Sequence, residues 1–286
     1  MSDMKVSVII PFRERTPVLK RCVESIKKQN YTDIEIILVS DRAKFEDDNV
    51  ISLINARCKG VGEKRNLGAK NATGDILFFL DSDCILKKDS IRKLVETFKK
   101  HEVDAVSGKP LAPIKSNIIG TITGLEYEDR FDQMGEGYVD VAATTCLGIL
   151  KKSFQKIKGF NDYSKSEATG EDWDISAKLR REGFKIYHTN EVVGYHEQIS
   201  NNLMYYLKRQ RLHAEYRAKH YKRYGKASDQ YSNWKMIISS TILLSIPTMI
   251  RVYRKIKNPK IFILPIISFL RSIFWLMGLI SGMIKD

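Results

Sequence analysis

The sequence predicts an α/β fold, a sheet flanked by helices, and three observations carry that expectation. Residues 6–10, 34–40 and 76–80 are short, β-branched or apolar runs of strand length, continuous enough to be buried on both faces. Between the first two lies an amphipathic run, 17–28, opened by Thr16 and Pro17, so strand, helix and strand alternate as a βαβ unit with parallel pairing and a right-handed crossover. Carboxylates follow the strands: Asp41 closes the second, and Asp81-Ser82-Asp83 ends the third. In open α/β sheets that edge is where ligands bind.

Taken in order, residues 6–10 form a strand stopped by Pro11, and 45–48 form a loop. Residues 60–69 open a helix with a glycine-rich lead and the pair Lys64-Arg65, which can offer backbone donors and cations to a phosphate or simply make a solvated surface. An amphipathic helix over 90–100 leads to a strand at 103–106. The stretch 111–140 is the least legible. Its residues from Glu126 to Phe131 fit either an acceptor-binding helix or a plain polar helix face, and the plain face is preferred. A strand over 139–150, a short helix from Lys151 and the turn Gly159-Phe160-Asn161-Asp162 follow. Thr169-Gly170-Glu171-Asp172 then precedes a helix over 175–181 closed by Gly183, and 185–189 is a last strand before His196.

The chemistry sits in three places. Two acidic side chains one residue apart at the end of a rigid strand suit a divalent cation taking oxygen ligands, and an Asp-rich turn with simple caps is the plainer alternative. Glu171 and Asp172 stand at a helix N-terminus, where the dipole favours an ionised carboxylate, although an ordinary acidic cap has the same look. His196 alone is more often structural than a ligand. Nothing in the pattern calls for a nucleophilic Ser or Cys.

The 286 residues carry a formal net charge of +14, so an anionic partner is expected. Cys22, Cys58, Cys84 and Cys146 show neither zinc spacing nor a disulfide framework, which points to a reducing compartment. Residues 1–6 hold no apolar stretch of signal-peptide length. The other end differs. A long helix over 203–224 interleaves seven Lys and Arg residues with five Tyr, and the runs 236–250 and 261–284 are strongly apolar. Basic and aromatic interleaving can bind nucleic acid, but directly before an apolar tail it fits anionic headgroups better, so no nucleic-acid partner is expected. The first run is short for a span, Pro265 and Arg271 interrupt the second, and the basic stretch 251–257 between them would lie outside if both crossed. Re-entrant or interfacial helices on the cytosolic leaflet are therefore expected, with a transmembrane hairpin or a soluble helical subdomain as the rivals.

The order of these pieces is more specific than any one of them. Ile10-Pro11, Asp41, Lys64-Arg65-Asn66-Leu67-Gly68, Phe79-Leu80-Asp81-Ser82-Asp83, Gly159-Phe160-Asn161 and Glu171-Asp172 together resemble the family-2 glycosyltransferases of the GT-A fold, over about residues 4–200. The resemblance implies a Rossmann-like mixed sheet and inverting transfer of one sugar from a nucleotide-diphosphate-sugar to an acceptor, lipid-linked or glycan, in cell-envelope polysaccharide assembly. It places Pro11, Arg13, Glu14, Asp41, Lys64, Arg65, Asp81 and Ser82 at the donor. It gives Asp83, Asp81 and His196 to Mn²⁺ or Mg²⁺, and makes Asp172, with Glu171 beside it, the general base. Where the family commonly has Asp-Asp after the second strand this chain has Ser40-Asp41, and Leu147 with Lys151-Lys152 replaces an Asn and Arg pair. The expected organisation is a catalytic domain over 1–200 in the cytoplasm, a basic helical linker over 201–232 and membrane-associated helices over 233–286. Transfer to a polyprenyl phosphate, and a non-catalytic nucleotide-sugar-binding membrane protein, are the alternatives.

Overall fold

The computed structural model describes residues 4–58, 60–112, 116–161, 170–197, 202–225 and 242–284. These divide into two compact units, one of residues 4–110 with 135–196 and one of 111–134 with 197–284. Asp162, Thr169 and residues 236–241 of the first apolar run lie outside the described residues.

The first unit is a mixed sheet with helices. Its elements are β1 (Val6–Phe12), α1 (Pro17–Lys27), β2 (Ile34–Ser40), β3 (Ile51–Ile54), α2 (Val61–Asn71), β4 (Ile76–Leu80), β5 (Cys84–Leu86), α3 (Ser90–His101) and β6 (Ala105–Leu111). After α4 (Ile118–Met134), which belongs to the second unit, come β7 (Gly137–Tyr138), β8 (Cys146–Leu150), α5 (Lys151–Lys156), α6 (Glu171–Arg181) and β9 (Ile186–His196). The strand order is β3-β2-β1-β4-β8-β6-β9-β5, with β7 on β9. β1 to β4 pair in parallel, as the βαβ pattern requires, and β8 runs antiparallel to β4. The chain moves outward from β1 to β3 and returns on the other side of β1 as β4. The carboxyl ends of β1 and β4 therefore flank a topological switch point, the place where such sheets open a ligand crevice.

Several elements depart from the sequence expectation for physical reasons. Pro11 does not stop β1: β4 pairs only with Val6 to Ile9, so the missing N–H of Pro11 falls where β1 has β2 alone as neighbour. The strand expected over 139–150 is regular only from Cys146, because 140–145 form an irregular approach to β8. The last strand continues from Ile186 to His196, and β3, β5 and β7 are too short to show periodicity.

Gly68 explains one feature of the Lys-Arg-Asn-Leu-Gly stretch. A Cβ there would lie 2.4 Å from Ile9 Cγ2 and 3.3 Å from Val39 Cγ2, so only glycine lets α2 sit this close to β1 and β2. Gly68→Ala is expected to destabilise the chain by about 1–3 kcal/mol through overpacking, measured as a lower urea midpoint. An unchanged midpoint would mean that Ile9 gives way.

The second unit holds α4, α7 (Leu203–Tyr224), α8 (Ile242–Ile256), a 3₁₀ turn (Pro259–Ile263) and α9 (Leu264–Ile284). Ile122, Val252, Ile261, Leu264 and Ile267 form its apolar centre. The acidic residues of α4 are ion-paired: Glu126 lies 2.6 Å from buried Arg271, Asp129 lies 2.7 Å from Arg251, and Glu128 lies 2.5 Å from Lys255. The stretch that the sequence leaves open between a binding helix and a polar face thus holds α8 and α9 by charge.

Candidate active site

At the carboxyl edge of the sheet, two buried cations of α2 meet the strand ends. Lys64 is 5% exposed; its Nζ lies 2.6 Å from Asp41 Oδ1, past the end of β2, and donates to the Phe12 carbonyl of β1 at 3.3 Å. Burial alone would raise the Asp41 pKa, but the hydrogen bonds from Lys64 and Arg42 outweigh it and bring it to about 2. Ser40 accepts from the backbone N–H of Arg42 and Ala43, so the residue that departs from the family pattern shapes the turn carrying Asp41. Pro11 is buried in β1, while Arg13 and Glu14 are exposed just beyond it.

Arg65 is 1% exposed and bridges two acidic groups. Its Nη2 lies 2.8 Å from Asp81 Oδ1 and its Nη1 lies 3.3 Å from Glu171 Oε1, with the guanidinium 5.3 Å from the centre of the Phe160 ring. Its Nε is buried without a hydrogen-bond partner among the described residues. Asn66 fixes Phe160 by a reciprocal pair, Nδ2 donating to the Phe160 carbonyl and Oδ1 accepting from the Phe160 N–H, each at 2.9 Å. The motif around Asn66 and the Gly159-Phe160-Asn161 turn are therefore two halves of one support beneath Arg65.

Asp81, Asp83 and His196 each offer a ligand atom within 4.8 Å of the others, and His196 Nε2 stands 3.2 Å from Asp83 Oδ1. The antiparallel pairing of β5 with β9 does this, since it sets His196 opposite Cys84, the neighbour of Asp83. Two carboxylate oxygens and one imidazole nitrogen fit Mn²⁺ and, less well, Mg²⁺, which prefers oxygen ligands throughout. Ser82 sits in the turn between the two carboxylates.

Asp172 lies in the first turn of α6, which begins after Gly170 in the left-handed conformation, φ +97°. Its Oδ1 accepts from the Thr144 N–H at 3.1 Å and from the Thr144 hydroxyl. Burial and the Glu171 charge push its pKa up to about 7, against the hydrogen bonds from Thr144 and the field of Arg65. A carboxyl group poised near neutrality is suited to taking up a proton. Thr144 was not legible in the sequence: a threonine pair before an apolar strand carries no signal for a contact 28 residues away.

The structure thus gathers Asp81, Asp83 and His196, links Asp81 to Glu171 through Arg65, and ties Lys64 to Asp41. Lys151, by contrast, donates to the Ala72 carbonyl at 2.7 Å and closes the end of α2.

Residues 7–158 match the model of "Glycosyl transferase family 2", more than half of the sequence. The chain belongs to glycosyl transferase family 2. Among relatives of this family-2 chain, the glycosyltransferase GlyG of Streptococcus pneumoniae serotype 4 is 33% identical over 119 residues, 38% of this chain and 39% of GlyG. The O-antigen biosynthesis protein RfbC of Myxococcus xanthus is 24% identical over 226 residues, 68% of this chain and 18% of RfbC. The chain spans well under half the length of both. A solved mannosyltransferase from Pyrobaculum calidifontis, PcManGT, in complex with GDP-Man and Mn²⁺, superposes with a TM-score of 0.61 at 15% identity, covering 98% of this chain and 86% of that one. The fold of this family-2 chain is GT-A-like.

Proposed function

We propose that this chain is an inverting, metal-dependent glycosyltransferase that moves one sugar from a nucleotide-diphosphate-sugar to an acceptor hydroxyl, lipid-linked, in envelope polysaccharide or glycan assembly. The observation that carries the reading is the Arg65 bridge, which ties Asp81 of the candidate metal group to Glu171, the neighbour of a carboxyl group poised near neutrality. Asp172 takes the acceptor proton, and Thr144 orients it for that step. Asp41 and Lys64 hold the base and ribose end of the donor, and Phe160 with Arg65 closes the floor of the site. Mn²⁺ or Mg²⁺, held by Asp83, Asp81 and His196, would neutralise charge on the departing diphosphate. An acceptor hydroxyl is favoured over a polyprenyl phosphate, because a phosphate oxygen is already anionic and needs no base.

The relatives support an envelope role, and the mannosyltransferase makes GDP-mannose the first donor to try. Residues 259–284 are long and apolar enough to cross a membrane, which supports a membrane-bound acceptor with the catalytic unit in the cytoplasm. The test is calorimetry of GDP, UDP, CDP and dTDP with and without Mn²⁺, followed by sugar transfer to a membrane lipid extract. Metal-dependent binding of one nucleotide and a glycosylated lipid product are expected. If none binds, a non-catalytic membrane protein becomes the better description.

Arg65 is a positioning residue in this scheme. Arg65→Met removes a positive charge that lowers the Asp172 pKa, so the acid limb of the kcat/KM profile is expected to move to higher pH. Arg65→Lys is expected to restore most of that shift without restoring kcat, since one ammonium cannot bridge Asp81 and Glu171 as the guanidinium does. An unmoved limb in both variants would remove Arg65 from the argument.

A further inference from the structure

α9 has two apolar faces. One is turned to protein: Ile267, Trp275 and Leu279 are buried, and Gly278 and Gly282 lie against α7. A Cβ on Gly278 would stand 2.1 Å from the Arg211 carbonyl oxygen, and one on Gly282 would stand 2.3 Å from that of Glu215. Polar contacts keep the same register, with Arg271 Nη1 3.2 Å from the Tyr206 hydroxyl and Ser281 donating to Glu215 at 3.1 Å. The partners rise together in number, so α7 and α9 run parallel, side by side, over much of α9. The second face is open: Ile266, Phe269, Ile273, Leu276, Ile280 and Met283 are all exposed. Their spacing of three and four residues makes one stripe along the helix.

By length and composition α9 could cross a bilayer, but it cannot do so alone. α7 is packed along it and exposes Lys208, Arg209 and Arg211 opposite the middle of α9, in the register that sets Arg211 against Gly278. If α9 crossed, these cations would lie at hydrocarbon depth, where each is costly. The acidic α4 residues that pair with α8 and α9 would be drawn in as well. Lying flat costs none of this. At the start of the stripe Arg254, Lys257 and Lys260 are exposed beside exposed Phe262 and Ile263, a pairing of cations and apolar side chains that matches an anionic bilayer surface.

We infer that the second unit is a monotopic membrane anchor, in which α9 lies in the plane of an anionic leaflet with its Ile266-to-Met283 stripe inserted, and no segment from α8 to α9 crosses. The inference rests on the membrane association proposed above and not on the transfer chemistry. The occupant of the stripe is lipid rather than a second copy of the chain.

The full chain is expected to co-sediment with phosphatidylglycerol vesicles, much less with phosphatidylcholine ones, and to be released by salt. The double variant Leu276→Glu/Ile280→Glu, which changes only exposed positions, is expected to bind phosphatidylglycerol vesicles about tenfold more weakly or worse, while keeping Mn²⁺-dependent nucleotide binding. Asp83→Ala is expected to do the reverse, which separates failure of the anchor from failure of the enzyme. In sealed inside-out membrane vesicles, a tag after residue 286 and a maleimide-reactive Lys257→Cys, placed in a Cys58→Ser background because Cys58 is a partly exposed free thiol, are both expected to be accessible from outside. Protection of either would mean that the chain crosses and would overturn the inference. Vesicle binding that ignores the double variant, or a variant that changes only the oligomeric mass, would also overturn it.

Discussion

Asp172→Asn is expected to lower kcat by about 10²–10⁴-fold, the usual range for losing a positioned general base, with Mn²⁺-dependent donor binding retained. The wild type is expected to gain activity with pH along a limb centred near 7, as Asp172 loses its proton, and the variant to lose that limb. The same group gives an independent readout in stability. Its folded pKa of about 7 stands above the ordinary 3.8, so the folded chain keeps a proton that the unfolded chain has released. The resulting contribution is complete below the unfolded value and disappears as pH rises through the folded one. Asn resembles the protonated acid, so the variant is expected to match the wild type in thermal midpoint only below the unfolded value of 3.8, to exceed it increasingly as pH rises from there toward 7, and to keep the full excess at pH 8. Gain of stability with loss of turnover would mark a carboxylate held at a cost for function. A variant that keeps most of its activity would instead favour a phosphate acceptor, which needs no proton removed.

What the sequence disclosed and what it withheld follow from the range of the interactions. The β1–α1–β2 unit and β4 were legible because strand length, apolar continuity and a Thr16 cap are local properties; Leu19 N–H bonds to the Thr16 hydroxyl at 3.1 Å, as the pattern requires. The candidate metal group was only half legible. Asp81 and Asp83 share a turn, but His196 reaches them through strand pairing that no local pattern specifies. Asn66 and Phe160 could be named as motif members, yet their mutual hydrogen bonds, 94 residues apart, became visible only in the fold. The acidic face of α4 was legible as polar. Its partners Arg251, Lys255 and Arg271 lie more than 120 residues later, so its role as a tie within the helical unit was not.

Asp83→Ala is expected to reduce donor-nucleotide affinity in the presence of Mn²⁺ by about a hundredfold or more and kcat/KM by about 10³-fold, as several kcal/mol of charge stabilisation at the leaving diphosphate is lost. Asp83 is a cleaner probe than Asp81, because Asp81 also accepts from buried Arg65 and its removal would leave that cation short of a partner. His196→Ala is expected to fall between the wild type and Asp83→Ala, since it removes one ligand and leaves both carboxylates. In a metal site the imidazole would make the group more selective than oxygen ligands alone. The wild type is expected to work better with Mn²⁺ than with equal Mg²⁺, and His196→Asp to narrow that preference. Nucleotide titrations with each metal, on these variants, check all three expectations. Donor binding that is strong without metal and indifferent to Asp83 would show that the Asp81, Asp83 and His196 group closes a turn rather than holding a cation. The donor diphosphate would then have to be neutralised by protein cations, with Arg65 and Lys64 the buried ones at this edge.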